Sequence, residues 1–196
     1  MKRFDTIMRI AATMSLAVGA TLLHGCIPLA ITGVVATAQI ATDRRTTGAQ
    51  LDDEFIEDKA IAQISDRLKS DIHVNVTSYN GIALLTGEVP TEASKNEVAQ
   101  IVRSMPKVRT VQNELVVGPT TSLSARSNDT YITSKVKSRF VEATKKFQIN
   151  HVKVVTERSV VYLMGIVKRD EGDAATDIAR TTSGVERVVK VFEYIS

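Results

Sequence analysis

From Ile56 the apolar positions recur at every fourth residue, at Ile56, Ala60, Ile64 and Leu68, which predicts one helix with a single buried stripe. Val74 and Val76 then alternate with polar residues as in a strand. Asn80-Gly81 marks a tight hairpin, and Ile82 to Val89 forms the return strand. Ala93 to Ser104 predicts a second helix, apolar at Val98, Ile101 and Val102 with Met105 following. Val108, Val111, Leu115 and Val117 predict a third strand. The order is helix, strand, strand, helix, strand.

The same order then comes round again. FIEDKAIAQI at 55–64 matches YITSKVKSRF at 131–140 at an offset of 76. HVNVTSYNGIALLTGEV at 73–89 matches HVKVVTERSVVYLMGIV at 151–167 at an offset of 78, and VAQIVRSMPKVRTVQNELVV at 98–117 matches ATDIARTTSGVERVVKVFEY at 175–194 at 77. Such drifts are what short loop insertions and deletions leave behind, and a repeat of this length settles the architecture. The second helix stripe is Ile132, Val136, Phe140 and Ala143. Arg158-Ser159 stands at the second hairpin, a weaker turn signal than Asn-Gly. Asp52 or Asp53, and Asn128 or Asp129, are suitable N-caps for the two leading helices. The expected fold is α+β: two tandem α-β-β-α-β units, each a three-stranded sheet with two helices packed on one face. Units of about 65 to 70 residues are close to the lower limit for a self-sufficient core, so the copies are expected to pack together.

The head of the chain is of another kind. Lys2, Arg3 and Arg9 precede fourteen uncharged, mostly apolar residues, Ile10 to Leu23, the length of a signal-peptide core and short for a bilayer span. Leu23-His24-Gly25-Cys26 follows, and it resembles the bacterial lipobox, with Cys26 as the lipidated first residue of the mature chain. His24 departs from the small or aliphatic residue usual at that position. The alternative is an uncleaved anchor, against which Gly25, Pro28 and Gly33 interrupt the apolar run. Either way the body of the chain is expected outside the cytoplasm. Ile27, rather than Asp, follows the cysteine, and this resemblance implies the outer membrane. The expected division is a signal peptide at 1–25, a lipidated tether at 26–50, a first domain at 51–117, a linker at 118–127 and a second domain at 128–196.

The duplicated order, the apolar-Gly step after each hairpin (Leu84-Leu85-Thr86-Gly87 and Tyr162-Leu163-Met164-Gly165) and the late step Gly184-Val185-Glu186-Arg187-Val188 resemble the BON domain. The first copy has Lys107 in place of that last glycine. Two such units behind a lipobox are similar to the dual BON-domain outer-membrane lipoproteins, the DolP/YraP-like family. That resemblance implies binding of anionic phospholipid through the second BON domain, with roles in outer-membrane integrity and in envelope remodelling at division, on the periplasmic side.

Composition adds mostly exclusions. With one Cys and three His there is no internal disulfide and no Cys/His spacing for zinc. No phosphate loop, G-x-S-x-G or H-E-x-x-H motif is present, so no catalytic residue, metal, cofactor or small-molecule substrate is expected. His73 and His151 read as a recurring residue at the head of the first strand. Neither copy has the G-x-x-G loop of a KH module, so nucleic acid is set aside.

Charge does distinguish the copies. Residues 52–117 carry 11 acids against 7 bases, net −4, and residues 128–196 carry 9 against 12, net +3. The excess sits on the second copy's leading helix, where Lys135, Lys137, Arg139, Lys145 and Lys146 face a single Glu142. Tyr131, Ser134, Lys135, Ser138 and Lys145 fall together on one flank of that helix, with Arg139 nearer the core edge. An amphipathic ring beside lysines suits an anionic membrane surface, and a solvated basic face is the plain alternative. With the family resemblance, Tyr131, Ser134, Lys135, Ser138, Arg139 and Lys145 are the expected lipid-binding residues. A cell-envelope protein partner is the rival expectation.

Overall fold

The structure is a computed structural model that describes residues 43–68, 72–143 and 148–196. The leader, Cys26 and most of the tether lie outside the described residues, as do Lys145 and Lys146. In the first domain, α1 (Thr47–Arg67) leads into β1 (His73–Tyr79), β2 (Ile82–Val89), α2 (Glu92–Arg103), β3 (Thr110–Asn113) and β4 (Val116–Val117). The second follows with α3 (Leu123–Glu142), a single 3-10 turn at Ile149–His151, β5 (Val152–Glu157), β6 (Val160–Val167), α4 (Arg169–Arg180) and β7 (Arg187–Tyr194). The hairpin partner lies at the centre of each sheet: β2 runs antiparallel to β1 and parallel to β3 and β4, and β6 does the same between β5 and β7. The third strand that the sequence predicts as one piece in the first copy is broken between Asn113 and Val116, where Leu115 turns into the core.

Each sheet has two apolar faces. On β2, Ala83, Leu85 and Val89 pack with Ala60 and Ile64 of α1 and Val98 and Val102 of α2. On β6, Val161, Leu163 and Val167 pack with Ile132, Val136 and Phe140 of α3 and Ala175 and Ala179 of α4. The alternate residues face away from the helices. There Tyr79 and Leu84 of the first sheet meet Tyr162, Met164 and Ile166 of the second in a third core. The two domains are thus joined back to back through their sheets, and burial of both faces explains the near-continuous apolar runs IALL and VVYLMGIV. Phe140 is fully buried, and burying a side chain of its kind stabilises by about 1.5 to 3 kcal/mol.

The expected N-caps are corrected. α1 and α3 each start six residues ahead of Asp53 and Asp129, and their caps are Thr46, accepting from Ala49 N at 3.1 Å, and Ser122, accepting from Ala125 N at 3.2 Å. The helix therefore takes the end of both the stretch expected as tether and the stretch expected as linker. Asp53 and Asp129 lie a turn and a half inside, buried, and reach the hairpins instead. Asp53 accepts from Ser78 Oγ (2.6 Å), Asn80 N (2.7 Å) and Gly81 N (2.8 Å). Asp129 accepts from Arg158 N (2.9 Å) and Ser159 N (2.8 Å). Both turns have positive φ at both central residues, 51° and 74° in the first and 52° and 60° in the second, as a type I′ turn requires. Arg158-Ser159 is a poor sequence for that turn, and the Asp129 carboxylate underneath holds it there.

The apolar-Gly step has a steric cause. A Cβ on Gly87 would stand 1.9 Å from His73 O, and one on Gly165 would stand 2.2 Å from His151 O, so the central strand approaches the head of its neighbour too closely for any side chain. At the late step Gly184 has φ 93°, and its counterpart Lys107 adopts φ 71° without the glycine.

Ahead of α1, two neighbouring arginines fasten to different domains. Arg44 grips Glu171 of α4 with both guanidinium nitrogens (2.6 and 2.9 Å) and donates to Ile166 O at 2.9 Å. Arg45 donates to Asp53 at 2.9 Å, pairs with Asp43, and lies 4.1 Å over the ring of Tyr79. Burial, with the negative charge of Asp43 beside it, pushes the Tyr79 hydroxyl up to about 12 against the opposing charge of Arg45.

Candidate functional site

The outer arc of α3 is the candidate interface. Ile132, Val136 and Phe140 turn inward, so at 100° per residue the opposite side faces solvent. Tyr131 stands on that side with 61% of its surface exposed, and Ser134 and Ser138 are exposed beside it. Ser134 donates its hydroxyl back to Thr130 O at 3.0 Å, so it adds polarity without reaching outward. Lys135 is half-buried: its ammonium sits 4.6 Å from the Tyr131 ring centre and donates to Ser183 O in the turn after α4. The structure therefore brings Tyr131, Ser134, Lys135 and Ser138 together.

Arg139 is not among them. Its Nη1 donates to Ile178 O (2.8 Å), Thr181 Oγ1 (3.1 Å) and Thr182 Oγ1 (2.8 Å), closing the C-terminal end of α4, where a cation also complements the helix dipole. The signal for this was its place toward the core edge of the helix.

Three neighbours complete the arc. Leu123 and Val141 are 78% and 57% exposed, eighteen residues and hence five full turns apart, on the same line of the helix and roughly 27 Å from each other. Lys137 is exposed close to that line. Leu123 lay in the stretch expected as linker, so it carried no helical phase, and Val141 falls beyond the repeat alignment. The arc is thus a row of exposed apolar groups, Leu123, Tyr131 and Val141, flanked by lysine.

The first domain shows which part of this belongs to the repeat. Phe55 and Lys59 occupy the places of Tyr131 and Lys135 and make the same ring–ammonium contact at 4.9 Å. Leu51, Phe55 and Ile61 are 61%, 52% and 50% exposed. Around them, however, stand exposed Glu54 and Asp58, where the second copy has Thr130 and Ser134. The aromatic–lysine pair is common to both copies, and the sign of the surrounding charge is not.

A second cluster lies at the seam between the domains. His73 Nδ1 is 3.0 Å from Glu88 Oε2 and 3.8 Å from Glu157 Oε1. Glu88 has no exposed surface. Burial alone would raise its pKa, and hydrogen bonds from Thr121 and His73, with the charge of His73, bring it below the usual carboxylate value. Glu157, also buried, goes the other way: burial raises it, and the charges of Glu88 and Asp129 add to the rise, against a hydrogen bond from Asn75. His151, at the equivalent place in the second copy, faces Glu171 at 3.8 Å within its own domain. The two histidines therefore share a position and differ in partners.

Comparison with known proteins gives a consistent family. The BON domain matches residues 52–119 and again 128–196. The chain is 39% identical over 186 residues to the outer membrane lipoprotein DolP of Haemophilus influenzae, covering 93% of this chain and 95% of that one. It is 33% identical over 155 residues to a 21 kDa hemolysin of Actinobacillus pleuropneumoniae, covering 78% and 79%. It is 26% identical over 193 residues to the osmotically-inducible protein Y of Escherichia coli, covering 96% and 94%. None of these names describes an enzyme. Among the described residues, no helix is long and apolar enough to cross a membrane.

Proposed function

Because this chain belongs to the family of dual BON-domain outer-membrane lipoproteins, we propose that it is a non-enzymatic protein, lipidated at Cys26 and facing the periplasm, that docks the outer arc of α3 on anionic phospholipid. The observation that supports this reading most directly is the exposed row Leu123, Tyr131 and Val141 with Lys135 and Lys137 at its side. Apolar groups of this kind enter the headgroup boundary, and each lysine near an anionic surface contributes about 1 kcal/mol. The acyl chains supply most of the membrane affinity. The helix contact supplies a preference for where on the membrane the protein resides, and through it a part in outer-membrane integrity and in envelope remodelling at division.

The fragment from Thr42 to the C-terminus, which forms one compact unit, serves for the test. Cosedimentation with phosphatidylglycerol vesicles is compared for the parent fragment and for Tyr131→Ala combined with Lys137→Glu. Reversing one lysine alone removes one attraction and adds one repulsion, about 2 kcal/mol or roughly thirtyfold in affinity. Unchanged binding sinks the lipid reading of this helix.

A second reading rests on α1. Its exposed Leu51, Phe55 and Ile61 among acidic neighbours would repel an anionic bilayer, and suit a protein partner in the envelope with an apolar, basic surface.

A further inference from the structure

We propose that His73, Glu88 and Glu157 form a site for a divalent cation of the zinc type, one that ties the two BON domains together. Among the described residues these are the three His, Cys or acidic side chains whose ligand atoms converge, all lying within 4.8 Å of one another. His73 and Glu88 come from β1 and β2 of the first domain, and Glu157 ends β5 of the second. They stand 15 and 69 residues apart in sequence, so no ligand spacing announces them.

The distances suit the ion. Ligands about 2.0 to 2.2 Å from a tetrahedral zinc are themselves roughly 3.3 to 3.6 Å apart. Nδ1 stands 3.0 and 3.8 Å from the two carboxylate oxygens, within a few tenths of an ångström of that spacing, and the two oxygens lie within 4.8 Å of each other. Seating an ion therefore draws the Glu88 and Glu157 carboxylates together by up to roughly 1.5 Å, within reach of a side-chain rotation. The charges suit it as well. Two buried carboxylates and a neutral imidazole carry −2, which a divalent cation cancels; the nearby side chains oppose it with the half-exposed Arg158, 3.5 Å from Glu88 Oε1, and with Arg126, whose charge Asp129 offsets on the adjoining cavity wall. One nitrogen and two oxygens are too few for calcium, which takes six to eight oxygens, and fit zinc with a water in the fourth place.

Outer partners are in position. Asn75 donates to Glu157 Oε2 at 2.8 Å, and Thr121 donates to Glu88 through its backbone N–H (3.2 Å) and its hydroxyl (3.3 Å). A polar cavity of about 260 Å³ lined by His73, Asn75, Arg126, Asp129 and Glu157 opens onto the cluster, giving room for the water and a way in. Arg126 and Asp129 bring opposite charges to its wall. Binding requires His73 to present Nδ1 to the ion without its hydrogen.

The test uses the full chain purified in detergent, stripped with EDTA and titrated with zinc chloride by calorimetry. The expected result is one zinc per chain. Zinc at about a hundred times its Kd should lower the unfolding constant about a hundredfold, raising the melting temperature. Glu157→Gln keeps a side-chain oxygen for Asn75 but loses the charged ligand, and is expected to weaken binding about tenfold or more. Asp173→Asn, on an exposed face of α4, is expected to leave it unchanged. Cobalt(II) gives a reading that needs no variant: strong tetrahedral visible bands support the site, and the weak bands of aqueous cobalt overturn it. Failure to bind zinc, or equal binding by Glu157→Gln, also overturns it and leaves the cluster as a hydrogen-bonded ion pair.

Discussion

Replacing Asp53 with Asn tests the assignment of the two buried aspartates as hairpin clamps. Asn is as good an N-cap as Asp, so a capping role predicts no loss of stability for Asp53→Asn or for Asp129→Asn. The clamp role predicts a loss at both and a ranking between them. Asp53 is 2% exposed and accepts two hydrogen bonds at each oxygen, from Ser78 and Gly81 at Oδ1 and from Asn80 and Arg45 at Oδ2. An amide keeps one of those oxygens; with its NH₂ turned to the Ser78 hydroxyl, which can accept, it leaves the Gly81 N–H unpaired and takes the negative charge away from Arg45. Those two losses cost about 1 to 3 kcal/mol each, or about 4 kcal/mol in all. Asp129 accepts one bond at each oxygen, so its amide abandons a single donor, for about 1 to 3 kcal/mol. In a chain of this size about 1 kcal/mol moves the melting temperature by roughly 2 to 4 °C. Asp53→Asn should therefore melt about 10 °C lower, and Asp129→Asn about half as much lower. Circular dichroism melts of the two-domain fragment at neutral pH read both values. Shifts within a degree of the parent for both variants, or a larger one for Asp129→Asn, would refute the clamp.

Gly165→Ala places a methyl 2.2 Å from His151 O, and is expected to destabilise by more than about 2 kcal/mol in urea titration, while Gly118→Ala, with nothing within 4 Å, should be close to neutral. Arg44→Ala removes a two-pronged ion pair that is mostly buried, with an expected loss of about 1 to 3 kcal/mol. That loss should depend on pH. The Arg44 hydrogen bonds hold the Glu171 carboxyl below its ordinary 4.5, so the pair's stability is fully present above 4.5 and fades as pH falls through the lower folded value. The gap between parent and Arg44→Ala in denaturant titrations should then be full at pH 7 and narrow below pH 4.5.

The repeat and the order of elements were legible because core-facing stripes must follow the period of their element, and both copies keep those stripes. The helix starts were not. Thr46 precedes TGAQ, where Thr and Gly disfavour a helix, and Ser122 precedes LSAR, whose good helix formers stand in a Ser- and Thr-rich stretch with no apolar period, while Asp53 and Asp129 offer the same acceptor chemistry at the first strongly periodic residue. Sequence cannot tell a carboxylate that accepts from its own helix from one that accepts from a hairpin some 25 residues on. The broken third strand was hidden for a similar reason, since Leu115 fits an apolar strand pattern and its turn into the core shows only in three dimensions. On the candidate interface, Tyr131 and Lys135 were found by helical phase. Arg139 shared their charge and was drawn away by the end of α4, a contact 39 to 43 residues distant. The His73 cluster needed the docking of both domains and left no local trace.

The adjacent arginines Arg44 and Arg45 give the molecule a mechanical property. A pull transmitted along the chain toward Asp43 reaches Glu171 of one domain and Asp53 of the other within two consecutive residues. Tension is shared at that hitch before α1 begins, so it does not peel the first domain from the second. Neither sheet-to-sheet seam nor leading helix has to bear the load alone. A force applied at Asp43 thus loads both domains together, as a yoke loads a pair.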